Sequence, residues 1–162
     1  MRRIDKIIVH CSATKAGQDF HAKDIDAWHK ARKFRCIGYH YVVCLDGSVE
    51  RGRHDSEIGA HCSGQNAHSI GVCYIGGLDA HGRPCDTRTD AQKDSLWSLL
   101  FLLHQQYPNA TIHGHKEYAN KACPCFDAYF EYKPISENWP MLYKDGTDIP
   151  IRPDKIEKGG ES

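Results

Sequence analysis

The stretch HGHKEYANKACPC, residues 113–125, contains two histidines and two cysteines, side chains that bind soft and borderline metal ions. His113 and His115 are two residues apart in a predicted strand, so both point to one face unless Gly114 distorts the backbone. Cys123 and Cys125 are separated by a single proline. The segment therefore offers one or more ligands to a metal.

The spacing favours an open catalytic site over a closed structural one. Structural zinc sites commonly use C-x2-4-C and H-x3-5-H pairs, whereas this segment has C-P-C. One histidine and one cysteine of the segment, joined by the distant His10, would make three protein ligands and leave a position for water. Spacing leaves open four combinations of one histidine and one cysteine within the segment. It also allows His61, in GAHCSG, to replace His10.

The first half of the chain contains the elements that would position these residues. An apolar run predicts a buried strand at 4–10, which places His10 at the strand end, a common location for site residues. Ile25 and Trp28 have helical spacing and predict an amphipathic helix that buries both. Asp46-Gly47 between two strand-like runs predicts a β-hairpin.

The second half adds a central strand, a long helix and two short elements. SIGVCYIGG, residues 69–77, is apolar enough for the middle of a sheet, and TDAQ, residues 89–92, is a capping box. That box opens a helix whose apolar face consists of Leu96, Leu99, Leu100 and Leu103. A short strand, ATIHGH, and a short helix, FDAYFEY, follow.

The predicted order β-α-β-β-β-α-β-α indicates an α/β fold: a mixed central β-sheet flanked by helices in a single domain. We expect residues 1–139 to form the catalytic domain. Residues 140–162 are polar and contain proline and glycine, and we expect a loosely ordered tail there.

Composition and charge argue against several classes of protein. The 162 residues carry 21 basic and 21 acidic side chains, so nucleic acid is not an expected partner. No apolar run is long enough for membrane insertion, and the N-terminus lacks the pattern of a signal peptide, which predicts synthesis in the cytoplasm. Cys44 and Cys73 lie in apolar strand-like runs, where we expect reduced thiols that pack as small hydrophobic groups.

Four segments carry a resemblance to a known family: IVHCSAT, IGYHYVV, NAHSIGVCYIGG and HKEYANKACPCFD. In this order, between about Ile4 and Phe130, the chain resembles the phage-type zinc N-acetylmuramoyl-L-alanine amidases, which are related to peptidoglycan recognition proteins. The resemblance implies a groove over one Zn²⁺ ion. By the matching motifs it implies zinc ligands at His10, His115 and Cys123, catalytic roles for Tyr39 and Lys121, and a substrate-binding position in the groove wall for His61.

The resemblance also implies a reaction and a partner. The enzyme would hydrolyse the amide bond between N-acetylmuramic acid and L-alanine in peptidoglycan or muropeptides, as a monomer, reaching the cell wall after release or export by another route. Lys121 would stabilise the tetrahedral oxyanion, and Tyr39 would orient the attacking water and help to move its proton.

Two other functions deserve comparison. Cytosolic amidases that recycle anhydro-muropeptides resemble this chain but typically carry aspartate at the position of Cys123. Non-catalytic peptidoglycan-binding or regulatory modules usually lack the cysteine ligand. The presence of His10, His115 and Cys123 together favours the lytic enzyme.

Overall fold

The computed structural model describes residues 2–156 and confirms the mixed central sheet flanked by helices. Its main sheet has the strand order β4-β3-β5-β1-β7, and a small second sheet pairs β2 with β6. The strands are β1 (Lys6–Cys11), β2 (Thr14–Lys15), β3 (Tyr41–Val43), β4 (Val49–Arg51), β5 (Ser69–Tyr74), β6 (Gly77–Leu78) and β7 (Thr111–Gly114). The helices are α1 (Ala22–Ala31), α2 (Asp90–Gln106), α3 (Ala128–Glu131) and α4 (Lys133–Ser136).

Strand β1 lies between two parallel neighbours, β5 and β7, while β3 pairs in parallel with β5 and antiparallel with β4. The register sets Ile7 beside Ile70 on one side and Ile112 on the other. Parallel strands are buried on both faces, which explains their nearly continuous apolar sequences. The carboxyl ends of β1 and β7 consequently meet at one edge of the sheet, the usual place for a site in such folds.

Alternating residues of the strands form two apolar cores. Ile7 and Val9 point to the face covered by α2, α3 and α4, where they join Leu96 and Leu100. Val42 and Cys73 point to the other face and pack with Ile25 of α1. His10 alternates with Val9 and therefore faces the α1 side.

The predicted capping box and hairpin are confirmed. Thr89 Oγ1 accepts the Gln92 N–H at 3.0 Å and the Gln92 side chain accepts the Thr89 N–H at 2.9 Å, so α2 begins with reciprocal bonds. The β3–β4 hairpin turns at Asp46-Gly47, where Gly47 has φ +87°. A side chain at Gly47 would also meet the Ala91 carbonyl oxygen at 2.9 Å, so this turn requires glycine.

The predicted burial of Trp28 is wrong. Trp28 is 38% exposed and lies against Phe20, whereas His29 is buried and accepts the Gly38 N–H through Nδ1 at 2.9 Å. The helix presents Ile25 and His29, four residues apart, to the sheet, which leaves Trp28 at the margin of that face.

The predicted loose attachment of the C-terminal tail does not hold for residues 140–156. The Trp97 indole N–H donates to the Pro150 carbonyl oxygen at 2.9 Å. The Arg152 side chain is only 8% exposed and pairs with Asp90 at 2.9 Å and Asp94 at 3.2 Å, both on α2. The polar composition of the tail gave no sign of these contacts, because they depend on one backbone carbonyl and one buried arginine. Residues 157–162, the rest of the predicted tail, lie outside the described residues.

Replacing Arg152 with alanine is expected to weaken the attachment of residues 140–156 to α2, because two ion pairs to the helix disappear. The melting temperature should fall by about 2–4 °C, as expected for ion pairs with exposed partners. Limited proteolysis should cut the tail faster. The matched control is Lys144→Ala, in the same segment and exposed. Equal proteolysis rates for the two variants would contradict the assigned role of Arg152.

Candidate active site

His10 occupies the next-to-last position of β1 and is completely buried. Its backbone lies in register with Cys73 of β5, so the strand ladder fixes its position. Its ring faces the α1 side of the sheet at the carboxyl edge. A buried imidazole on a rigid strand can present one nitrogen in a fixed direction.

The end of strand β7 separates His113, which lies on the strand, from His115, which follows it. The strand ends at Gly114, and a 3-10 turn at His115–Glu117 directs the His115 ring towards His10, so that the two Nδ1 atoms are 3.2 Å apart. His113 stays on the strand, where its Nδ1 lies 2.9 Å from a Glu117 carboxylate oxygen and its ring stacks on Tyr129. The turn therefore directs the His115 ring, and not the His113 ring, towards His10.

Cys123 and Cys125 also point to different neighbours. The Cys11 N–H donates to Cys123 Sγ at 3.2 Å, and the ligand atoms of His10, His115 and Cys123 all lie within 4.8 Å of one another. Cys125 Sγ is instead 3.9 Å from Cys11 Sγ and donates to the Gly77 carbonyl oxygen at 3.3 Å. All eight cysteines are free thiols, including Cys44 and Cys73 in their strand positions.

Burial keeps both imidazoles of this cluster neutral. It lowers the pKa of His10 well below its ordinary value, and the neighbouring histidines and the Lys121 cation lower it further. Burial also lowers the pKa of His115, again assisted by Lys121. Neutral imidazoles have the lone pairs that a metal ion requires.

His61 lies behind His10 and is hydrogen-bonded to it. His10 Nε2 and His61 Nδ1 are 2.8 Å apart, and His61 Nε2 is 3.2 Å from Ser69 Oγ. A neutral His10 that offers Nδ1 to a metal carries its proton on Nε2, and this tautomer can donate to His61. The His61 proton then lies on Nε2 and is directed to Ser69. Both tautomers are assigned from this hydrogen-bond pattern.

Gly71 of β5 makes room for the His61 ring. A Cβ at this position would lie 2.6 Å from His61 Cγ, closer than atoms can pack. Burial lowers the pKa of His61 to about 3, with help from His40. His61 is consequently neutral at physiological pH and acts as a hydrogen-bonding group.

An open groove of about 420 Å³ gives access to this cluster. Its lining includes His61, His115, Tyr39 and Lys121. The Tyr39 ring lies 5.0 Å from the His10 ring, and burial raises the pKa of its hydroxyl, which keeps it protonated. Lys121 is exposed along the groove. The structure thus places all six residues singled out from the sequence at one site.

Sequence reasoning missed a second group of groove residues. His29, Arg32 and Phe34, at and after the C-terminal end of α1, also line the groove, as does Tyr118. The Arg32 guanidinium lies 5.2 Å from the centre of the Phe34 ring. His29 lies four residues after the buried Ile25, a spacing that could have indicated its position.

Comparisons with known proteins show the family and support the fold. Residues 1–126 match the family described as N-acetylmuramoyl-L-alanine amidase. The endolysin of Klebsiella phage KP32 is 46% identical over 122 residues, which cover 75% of this chain and 81% of that protein. The structure of the N-acetylmuramoyl-L-alanine amidase LysC from Clostridium intestinale matches with a TM-score of 0.70 at 27% identity, covering 85% of this chain and 87% of LysC. Bumblebee PGRP-SA, at 22% identity, shares the fold with a TM-score of 0.68 over 86% of this chain and 83% of its own.

Paired substitutions are expected to identify the metal ligands. His115→Ala and Cys123→Ser should each abolish tight zinc binding at this cluster, because each removes one of three donors. His113→Ala and Cys125→Ser, the matched controls, should leave the affinity within about threefold, since their side chains face elsewhere. Competitive titration with a zinc chelator measures both. A Cys125→Ser protein that loses this zinc while Cys123→Ser keeps it would overturn the assignment.

Proposed function

The chain belongs to the N-acetylmuramoyl-L-alanine amidase family. We propose that His10, His115 and Cys123 bind one zinc ion that takes part in catalysis. The donor set supports this proposal. Two neutral imidazoles and one thiol suit a borderline-soft tetrahedral ion, and three protein ligands leave a position open for chemistry. The 3.2 Å separation of the two facing Nδ1 atoms matches two ligands of one small ion.

The enzyme hydrolyses the amide bond between N-acetylmuramic acid and L-alanine in peptidoglycan, the activity of its family and of the lytic proteins it resembles. Amide hydrolysis near neutral pH requires a nucleophile stronger than water and stabilisation of the oxyanion that forms. Zinc, when bound, supplies Lewis acidity that can lower the pKa of water from about 15.7 to about 7.

The protein's own residues supply the remaining steps. Tyr39 is protonated and lies beside His10, so its hydroxyl can accept a hydrogen bond from the attacking water and donate one in return. Lys121 extends from the segment that leads into Cys123 and places a cation in the groove. That charge can stabilise the oxyanion of the tetrahedral intermediate.

His61 acts through His10 in this proposal. Its bonds to His10 Nε2 and Ser69 Oγ hold the imidazole in the tautomer that offers Nδ1 to the metal. Groups that orient a ligand in this way typically change metal affinity about 10- to 100-fold. His61→Ala should therefore weaken zinc binding by that factor. An unchanged zinc affinity would restrict His61 to the substrate-binding role that the sequence resemblance implies.

The groove's position at one face of a single chain supports action as a monomer, since all six site residues come from that chain. Within residues 2–156, no helix has the length and apolar content to span a membrane. We place the site of action at the cell wall. Peptidoglycan is the expected ligand.

A cytosolic recycling amidase and a non-catalytic binding module are the competing functions. The thiol of Cys123 within the cluster favours the lytic enzyme, because the other two classes typically lack it.

Purified peptidoglycan provides the direct test. The enzyme should release free L-alanine amino termini without new reducing sugar ends, lose this activity on chelation and regain it with zinc. Activity confined to soluble anhydro-muropeptides would indicate the recycling enzyme instead. Zinc binding with no release from either substrate would indicate a binding or regulatory module.

Substitution of Lys121 separates catalysis from metal binding. Lys121→Ala should lower kcat by about 10²–10³-fold, as is typical when an oxyanion-stabilising group is removed. Zinc content should be unchanged, because Lys121 is not a donor. Lys116→Ala is the matched control, an exposed lysine of the same connecting segment. Near-normal turnover of the Lys121→Ala protein would remove this residue from the mechanism.

A further inference from the structure

A second cluster of metal-binding side chains lies outside the groove. His21, Cys44 and Glu50 each direct one ligand atom to a common point, and these atoms lie within 4.8 Å of one another. His21 Nδ1 is 3.1 Å from Glu50 Oε2 and 3.5 Å from Cys44 Sγ. Zinc bonds of about 2.0–2.3 Å at tetrahedral angles separate ligand atoms by about 3.3–3.7 Å. The spacing of these ligand atoms is therefore already close to what one zinc ion requires.

Two elements, helix α1 and the β3–β4 hairpin, position these ligands. His21 is the N-cap residue of α1, and the other two belong to the β3–β4 hairpin. The Cys44 N–H donates to the Ser48 carbonyl oxygen at 2.8 Å, so Cys44 lies opposite Ser48 and diagonal to Glu50 on the same face of the hairpin. Little rearrangement is needed to bind an ion.

Two of the ligands have partners on the side away from the common point. His21 Nε2 lies 3.3 Å from Asp19 Oδ1, while its Nδ1 faces the cluster. Histidine ligands of zinc commonly have such a carboxylate on their second nitrogen, where it fixes the tautomer and strengthens the donor. Glu50 Oε1 accepts the Ala22 N–H at 2.8 Å, which leaves Oε2 for the cluster.

The surroundings provide a water ligand and a suitable charge. His21 and Glu50 border an open cleft of about 500 Å³, so water can complete a tetrahedron. Lys23 and Arg51 also line this cleft and oppose a cation, but the carboxylates of Asp19, Glu50 and Asp46 lie on or beside the cluster. A Cys44 thiolate would add another negative charge.

Cys44 is the donor that must change its protonation state. Burial, together with the nearby Glu50 carboxylate, raises the pKa of its thiol to about 11. The thiol is therefore protonated at neutral pH, and zinc must displace this proton as it does from other cysteine ligands.

We propose that His21, Cys44 and Glu50 form a second zinc site, completed by one water, that ties the N-terminus of α1 to the β3–β4 hairpin. Helix α1 carries His29, and Arg32 and Phe34 follow it, all on the wall of the catalytic groove. The second ion has a structural role: it stabilises one end of the helix whose other end lines the catalytic groove.

Metal content of matched variants tests the site. The wild-type protein should bind two zinc ions, and Cys123→Ser and Cys44→Ser one each. The double variant should bind none tightly. Cys44→Ser should retain amidase activity, because its donor lies outside the groove. Cys36→Ser, which changes a partly buried thiol outside both clusters, should keep both ions.

Cobalt offers an independent readout of the second site. In the Cys123→Ser protein, added Co²⁺ should produce a thiolate-to-cobalt absorption band in the near ultraviolet that disappears when Cys44 is also replaced. In the same background, zinc at about 100 times its Kd should raise the melting temperature by about 5 °C or more.

Substitutions that preserve packing cover the case in which Cys44→Ser fails to fold. Glu50→Gln keeps an oxygen for the Ala22 N–H but loses the carboxylate, and Asp19→Asn removes the charge behind His21. Each should weaken binding at the second site by at least about tenfold.

The proposal fails if wild type and Cys44→Ser each bind one zinc while Cys123→Ser binds none. It also fails if neither Glu50→Gln nor Asp19→Asn changes affinity in the Cys123→Ser protein. Failure of the catalytic zinc site has a different signature: Cys123→Ser would then keep the metal content and activity of wild type.

Discussion

The position of β1 between two parallel strands is the constraint on which the site depends. Its register with β5 fixes His10, and its register with β7 fixes the point at which the chain turns towards His115. Cys11, the last residue of β1, donates its N–H to Cys123 Sγ and so aligns the third donor with the same strand. His10 thereby meets His115 and Cys123, which lie more than a hundred positions later in the chain, at one strand end. A slip of one residue would turn His10 towards the α2 face and separate the cluster.

Local rules in the sequence predicted most of the elements, because local interactions form them. The Thr89–Gln92 capping box and the Asp46-Gly47 turn are satisfied within a few residues, and both are present. The predictions were wrong where contacts with residues distant in sequence determine the structure. Helical spacing could not tell which of Trp28 and His29 faces the sheet, and a polar tail gave no sign that Arg152 pairs with carboxylates on α2.

The same distinction between local and distant interactions applies to the candidate site. Residue types and spacing predicted an open metal site in the segment from His113 to Cys125, and family resemblance singled out His115 and Cys123, which the fold brings together. Spacing alone could not separate His113 from His115, because the 3-10 turn after Gly114 decides it. The cluster of Cys44 with His21 and Glu50 was missed for a related reason: an apolar strand context made Cys44 resemble an ordinary core residue.

Charge illustrates why whole-chain composition says little about a groove. The chain has no net charge, yet the charged residues among the described groove lining are the cations Arg32 and Lys121. Lys121 helps to keep His10 and His115 neutral and therefore available to a metal, since protonation next to a cation is unfavourable. Both cations also attract carboxylates, which peptidoglycan stem peptides carry. The same local excess of positive charge thus favours neutral imidazoles and attracts anionic groups, and it would stabilise the oxyanion in the role proposed for Lys121, while the rest of the surface supplies the balancing acids.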